Sequence, residues 1–188
     1  YYYIDTGSTT VKTAEELNAL SFTEGSSFSI ADENKYIIYA YVVDLAGNKR
    51  AYICTDGIVI DKTAPTVTLT APTGSDLGDV SGAAKVKMNE TGIISYVIKT
   101  TEQSGITALN ILDSTEKNTV SVTDVQADTN LDVALSGLTA NTTYYMYAVG
   151  TDSAQNNGSV VSTSFTTTTT QPVFNDNPTI TGIYGQQV

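Results

Sequence analysis

Apolar residues recur at every second position along most of the chain, which is the spacing of a β-strand with one buried face. The stretch 36–43 is the longest apolar run, and its eight residues fall alternately on two faces. It ends at Asp44-Leu-Ala-Gly-Asn48, where Asp, Gly and Asn are typical turn residues. Apolar residues resume at 51–54 and, after Thr-Asp-Gly, at 58–60. The pattern predicts a long strand, a turn and a return strand with a bulge.

The same phrase occurs again at a constant offset of 108 residues. The aligned pairs are Tyr36/Tyr144, Tyr39/Tyr147, Ala40/Ala148, Asp44/Asp152, Ala46/Ala154 and Asn48/Asn156. An offset of this size fits one sandwich domain per copy. We therefore predict equivalent hairpins in two units, with Tyr36 and Tyr144 as structural anchors and Asp44 and Asp152 closing the turns.

Alternating segments between the two hairpins predict about seven strands from Pro65 to Thr168, the number found in an immunoglobulin-like sandwich. We predict an all-β chain with a first unit at 1–62, a second unit at 63–168, and a Thr-rich linker with the start of a further repeat at 169–188. The first unit starts directly in a strand at Tyr1 to Asp5, without the two strands that should precede it. We expect it to expose an apolar face and a sheet edge.

Two segments depart from the strand pattern. Thr13 is followed three residues later by Glu16, the spacing of a capping box, so a short helix is predicted at 13–20. A weaker signal of the same kind lies at 106–112. Both segments are predicted to connect strands.

Several motifs resemble known bacterial repeats. Leu138-Thr-Ala-Asn-Thr-Thr-Tyr144 is similar to the Leu-x-Pro-x-Thr-x-Tyr phrase of fibronectin type III domains, with Ala140 in place of Pro. The first unit, with Asp44-Leu-Ala-Gly-Asn48 and Asp56-Gly-Ile-Val-Ile-Asp-Lys-Thr-Ala-Pro65, resembles bacterial immunoglobulin-like repeats. The resemblance implies tandem β-sandwiches, with Tyr144 as a tyrosine corner. It says little about function, because sandwiches carry many unrelated activities.

The charge balance argues against two classes of partner. The chain has 20 acidic and 9 basic residues, a net charge of -11, which repels phosphate backbones and anionic lipid head groups. No apolar run approaches the ~20 residues of a membrane-spanning helix. We expect no nucleic-acid binding and no membrane insertion. The chain opens without Met or a signal-peptide pattern, so we expect it to be an internal piece of a longer protein.

The residue types also argue against catalysis. With no His, a Ser-His-Asp triad and a His-containing zinc site are both excluded. The single cysteine, Cys54, is expected to be a small buried strand residue. Asp44, Asn48, Asp56 and Asp61 are candidate calcium ligands, but turn chemistry explains them sufficiently. We predict no enzyme activity, no cofactor and no metal site.

Four tyrosines alternate with the inward-facing set and are candidates for ligand contact. They are Tyr39, Tyr41, Tyr145 and Tyr147. Their rings offer stacking surface for a sugar or a protein, although cross-strand packing explains them equally. The leading hypothesis is a non-catalytic spacer or adhesion module of an extracellular, secreted or wall-attached bacterial protein, whose partners are neighbouring repeats. The alternatives are a module that binds glycan or host extracellular protein, and an accessory domain of a polysaccharide-degrading enzyme.

Overall fold

The computed structural model describes residues 1–123 and 126–169, and within them the chain is mostly antiparallel β-sheet. The predicted tail at 170–188 lies outside the described residues. A 3₁₀ turn covers Gly74–Asp76. The strands are β1 (Tyr2–Thr6), β2 (Asn34–Val43), β3 (Lys49–Ile53), β4 (Ile58–Ile60), β5 (Val67–Thr70), β6 (Ser81–Met88), β7 (Gly92–Lys99), β8 (Asn118–Val122), β9 (Leu131–Ser136), β10 (Thr143–Asp152) and β11 (Val161–Thr166), and the helices are α1 (Ala14–Asn18) and α2 (Ala108–Leu112).

The first unit is a single four-stranded sheet. β2 lies at its centre, with β1 on one side and both β3 and β4 on the other. The return strand is interrupted at 54–57, one residue earlier than the predicted Thr-Asp-Gly break. On one face, Phe22 packs edge-on against Tyr41 and close to Tyr3. On the other face, Phe28 packs on Tyr2. Loops thus cover the centre of this sheet where a second sheet would otherwise lie.

The return strand of the first unit is poorly covered. Every residue of β3 is exposed, and Val59 in β4 is exposed to 64%. Cys54, which we predicted to be buried, is exposed just beyond β3. The prediction for Cys54 was wrong because burial needs a neighbouring layer, and no described residue forms one over this edge. The expected exposed apolar edge is therefore present.

The second unit has two sheets that share one core. The order β11-β10-β7-β8 forms a four-stranded sheet, and β5-β6-β9 forms a three-stranded one, giving the seven strands expected between 65 and 168. The core between them contains Met88, Ile94, Tyr144 and Met146 together with neighbours from both sheets. The hydroxyl of Tyr144 accepts a hydrogen bond from the amide of Thr139 at 2.8 Å. This is the arrangement of a β-sandwich.

A second, smaller cluster lies on the outer face of the four-stranded sheet. Ile111 of α2 packs there with Val97, Tyr147 and Val149, all buried. Both helices begin with a capping box, Thr13 with Glu16 and Thr107 with Asn110. The two predicted helices are therefore confirmed, each in the loop after the first strand of its sheet.

Candidate functional site: the junction between the two units

Two turns with the same sequence spacing have the same local structure. In the first Asp–Asn turn (44–48), Asp44 accepts hydrogen bonds from the Asn48 amide at 2.8 Å and from Asn48 Nδ2 at 2.7 Å. In the second Asp–Asn turn (152–156), Asp152 accepts the matching bonds from Asn156, both at 2.8 Å. The turns differ in surroundings, because Asp44 is exposed whereas Asp152 is buried.

The second turn lies against the segment that leaves the first unit, at the end of β10 where Asp152 pairs with Gly92 of β7. Asn156 Nδ2 donates to the carbonyl of Asp61 at 3.1 Å and is 3.4 Å from the carbonyl of Thr63. On the side of the first unit, Glu33 accepts a hydrogen bond from Thr63 Oγ1 at 2.6 Å. The segment 61–63 is therefore held from both sides, by a turn of the second unit and a loop of the first.

The chain then enters the second unit through a narrow space. Pro65 is fully buried, and a Cβ on Gly158 would stand 2.2 Å from its carbonyl oxygen. A Cβ on Gly150 would meet Val67 at 2.8 Å. Thr66 exchanges hydrogen bonds with Asn89, whose Oδ1 accepts from the Thr66 amide at 2.7 Å. Glycine at 158 therefore leaves room for the backbone of Pro65, and glycine at 150 leaves room for the side chains of Val67 and Met88.

Three carboxylates gather at the same place. Oxygen atoms of Asp61, Glu90 and Asp152 all lie within 4.8 Å of one another. Burial raises the pKa of Glu90, and the nearby charges of Asp152, Asp61 and Glu33 raise it further, while a hydrogen bond involving Asn89 opposes them. The cluster therefore places like charges together at the junction, which costs free energy when all are ionised.

The geometry of the cluster falls short of a complete cation site. Ca²⁺ takes six to eight oxygen ligands, and the three carboxylates supply one ligand atom each. Both Asp152 oxygens already accept hydrogen bonds from Asn156. The four candidate calcium ligands predicted from the sequence do not come together. Asp44 and Asn48 lie at one end of β2, and Asp61 lies at the other. Asp56 lies in the interruption between β3 and β4.

The four candidate tyrosines are more covered than alternation suggested. Tyr39 and Tyr147 are 1% and 4% exposed, and their hydroxyls accept hydrogen bonds from the amides of Lys12 and Gln103. Tyr41 is half-buried and stacks on Tyr1 with ring centroids 4.8 Å apart. Each of these three rings already has a protein neighbour. Ligand contact by the tyrosines stays a prediction.

Tyr145 packs against the buried cluster that contains Ile111 and Tyr147. It is half-buried and lines a polar hollow with Glu102, Gln103 and Ser164. A separate apolar groove of about 400 Å³ lies in the first unit, between Leu17 and Phe22 on one side and Ala51 and Ile53 on the other. Tyr41 lines this groove too. These are the places where a ligand would meet a candidate tyrosine.

Sequence reasoning did not find the residues that make the junction. Asn156 was recognised as a turn residue, but its contact with 61–63 was not foreseen. Glu90 and Asn89 lie 62 to 67 residues from the second turn, and periodicity carries no signal over that distance. The glycines at 150 and 158 were the available clue, because glycine in or beside a strand often marks a close backbone approach.

Comparison with known proteins adds little to this picture. No protein-family model and no curated protein matches the chain. One similar solved structure is a chain described as a computer-based redesign of a β-sandwich protein, with 19% identity, covering 61% of this chain and 98% of that one at a TM-score of 0.34. None of the helices among residues 1–123 and 126–169 has the length and apolar character needed to span a membrane. What is shown is an all-β fold with several antiparallel sheets, consistent with a β-sandwich.

Proposed function

We propose that the chain is a non-catalytic spacer or adhesion segment of a bacterial cell-surface or secreted protein, built from a partial immunoglobulin-like unit followed by a fibronectin type III-like unit. The observation that carries the proposal is the junction. Asn156 bonds the carbonyl of Asp61, and Pro65 is fully buried beside Gly158. A flexible tether needs no such contacts, whereas a spacer that sets a distance does.

The proposal predicts a fixed distance between the units. Cys54 is exposed in the first unit and accepts a spin label directly. Thr119→Cys places a second label at an exposed position of β8. Pulsed electron–electron double resonance on the doubly labelled chain should give one narrow distribution of distances between the two labels. A broad distribution in native buffer would contradict a spacer of defined length.

A second candidate function is binding of a glycan or an extracellular protein, including a role as an accessory domain of a polysaccharide-degrading enzyme. The apolar groove beside β3 and the polar hollow lined by Tyr145 favour it. A glycan array and a panel of extracellular matrix proteins provide the test. Saturable binding that is lost in Tyr41→Ala or Tyr145→Ala would replace the spacer proposal, and the two variants distinguish the groove from the polar hollow.

A further inference from the structure

The first Asp–Asn turn has unused bonding capacity. Among the described residues, Asn156 Nδ2 contacts Asp152, Asp61 and Thr63, whereas Asn48 Nδ2 contacts Asp44 alone. One N–H of the Asn48 amide group is therefore left to solvent. The two turns otherwise have the same backbone bonding. The amide of Asp44 donates to the carbonyl of Asn48 at 3.0 Å, and the amide of Asp152 donates to the carbonyl of Asn156 at 3.1 Å.

The two turns also occupy the same end of their units. β10 runs from Thr143 to the second turn at the junction, and the chain leaves the second unit beside Thr143, which pairs with Thr166. β2 runs from Asn34 to the first turn, and the chain leaves the first unit beside Asn34, which pairs with Ile60. The first turn therefore lies at the opposite end of β2 from the point where the chain leaves the first unit, roughly 30 Å away. A unit placed before the first unit would meet it at this turn.

Apolar side chains surround the free turn. Leu45 at its tip is fully exposed, and Val42 and Val43 beside it are exposed to 56% and 39%. At the positions equivalent to Gly150 and Gly158, 108 residues earlier, the first unit has Val42 and Arg50. A segment that docks here therefore cannot approach the strands as closely as Pro65 does, and its contacts would be with the turn and these apolar residues.

We infer that the first Asp–Asn turn is a docking site for an extended segment of the same kind as 61–63, the exit segment of a preceding β-unit. The free N–H of Asn48 donates to a backbone carbonyl of that segment, as Asn156 does to Asp61. The side chain of Leu45 packs on the apolar residues that follow this carbonyl in the docked segment. The identity of the partner rests on the proposed spacer function, whereas the docking chemistry rests on the turn itself.

The test supplies the segment in the same molecule, because one or two hydrogen bonds give too little affinity between separate chains. The amino group of Tyr1 donates to the carbonyl of Tyr41, so any residue added before it begins near the first turn. The sequence of residues 59–65 is joined before Tyr1 of the full chain through about eight Gly/Ser residues, a reach of about 15 Å. The matched control carries Gly and Ser in place of Asp-Lys-Thr and Pro.

Nuclear magnetic resonance of the side-chain amides gives the readout, with Asn156 in the same spectrum as the docked reference. We expect the Asn48 amide signals to move towards those of Asn156, and its solvent exchange to slow by about threefold. Leu45→Ser should reduce both effects. Identical Asn48 signals in the 59–65 extension and its Gly/Ser control would overturn the inference. A broad distance distribution between labels at 54 and 119 would instead refute the spacer proposal, so the two failures are distinguishable.

Discussion

At the scale of single residues, two buried tyrosines hold the loops that cover their sheets. The hydroxyl of Tyr39 lies 2.7 Å from the amide of Lys12, and that of Tyr147 lies 2.6 Å from the amide of Gln103. Each amide belongs to the loop that leads into a capped helix. Each hydroxyl therefore holds a loop over the sheet face that carries its tyrosine. This explains why Tyr39 and Tyr147 are buried although the alternating pattern directs them away from the core.

Removing one of these hydroxyls should loosen its loop. In Tyr147→Phe the amide of Gln103 loses its acceptor, and we expect a loss of about 1 to 2 kcal/mol in the free energy of unfolding. Urea unfolding followed by tyrosine fluorescence measures it. Tyr145→Phe is the matched control, because no described residue bonds its hydroxyl, and it should change stability by less than about 0.5 kcal/mol. Equal losses in the two variants would contradict this role.

The two turns offer a reciprocal test of backbone strain. Gly47 and Gln155 occupy matching positions, with φ of 85° and 71°. Left-handed backbone costs a residue with a side chain about 1 kcal/mol. Gln155→Gly should therefore stabilise the second unit slightly and Gly47→Gln should destabilise the first by about 1 kcal/mol, both read from thermal unfolding. Loss of stability in Gln155→Gly would show that its side chain contributes more than the strain costs.

At the scale of elements, the junction depends on a turn at the end of one strand contacting the exit of another unit. The contacts of the segment 61–66 include the side-chain amide of Asn156, the bond from Thr63 to Glu33, the buried Pro65 and a pair of hydrogen bonds between Thr66 and Asn89. A net contribution of about 1 kcal/mol per hydrogen bond is enough to favour one arrangement over many.

Asn156→Ala should free the first unit from this arrangement. It removes the turn's own bond and the contacts with 61–63, whereas Asn48→Ala removes only the bond within the first turn. With spin labels at 54 and 119, we expect the distance distribution to broaden in Asn156→Ala and to stay narrow in Asn48→Ala. Broadening in both would mean that disruption of a turn, rather than loss of the junction contact, loosens the chain.

At the scale of the whole molecule, negative charge is unevenly placed. The net charge of -11 repels anionic partners, and three of the carboxylates face one another where the units meet. The raised pKa of Glu90 means that its contribution to stability is fully present below its ordinary value of 4.5 and is lost as the pH rises through the raised value. At neutral pH its charge therefore opposes the junction.

Glu90→Gln should consequently stabilise the chain at pH 7, by about 0.5 kcal/mol, and have no effect near pH 3.5, where the carboxyl is protonated. Thermal unfolding across this range measures the difference. Glu24→Gln removes the same charge from an exposed loop and should leave the profile flat. A gain at pH 7 in both variants would trace the effect to net charge instead of the cluster.

Local patterns were sufficient to predict much of the fold. Period-two alternation gave the strands, Asp, Gly and Asn gave the turns, and the Thr13/Glu16 spacing gave a helix, because each depends on contacts within a few residues. The constant 108-residue offset indicated that the two hairpins are alike. Their bonding at Asp44 and Asp152 bears out the local part of that expectation.

What surrounds each strand was decided only by the tertiary structure. Cys54 and Tyr147 were both predicted to be strand residues, yet Cys54 is exposed just beyond β3 whereas Tyr147 is buried in β10, because a loop covers β10 and no described layer covers the end of β3. The junction joins residues up to 95 positions apart. Sequence by itself therefore determined which segments are strands and how they turn, since those preferences are local, while burial and the junction depend on which distant surfaces meet.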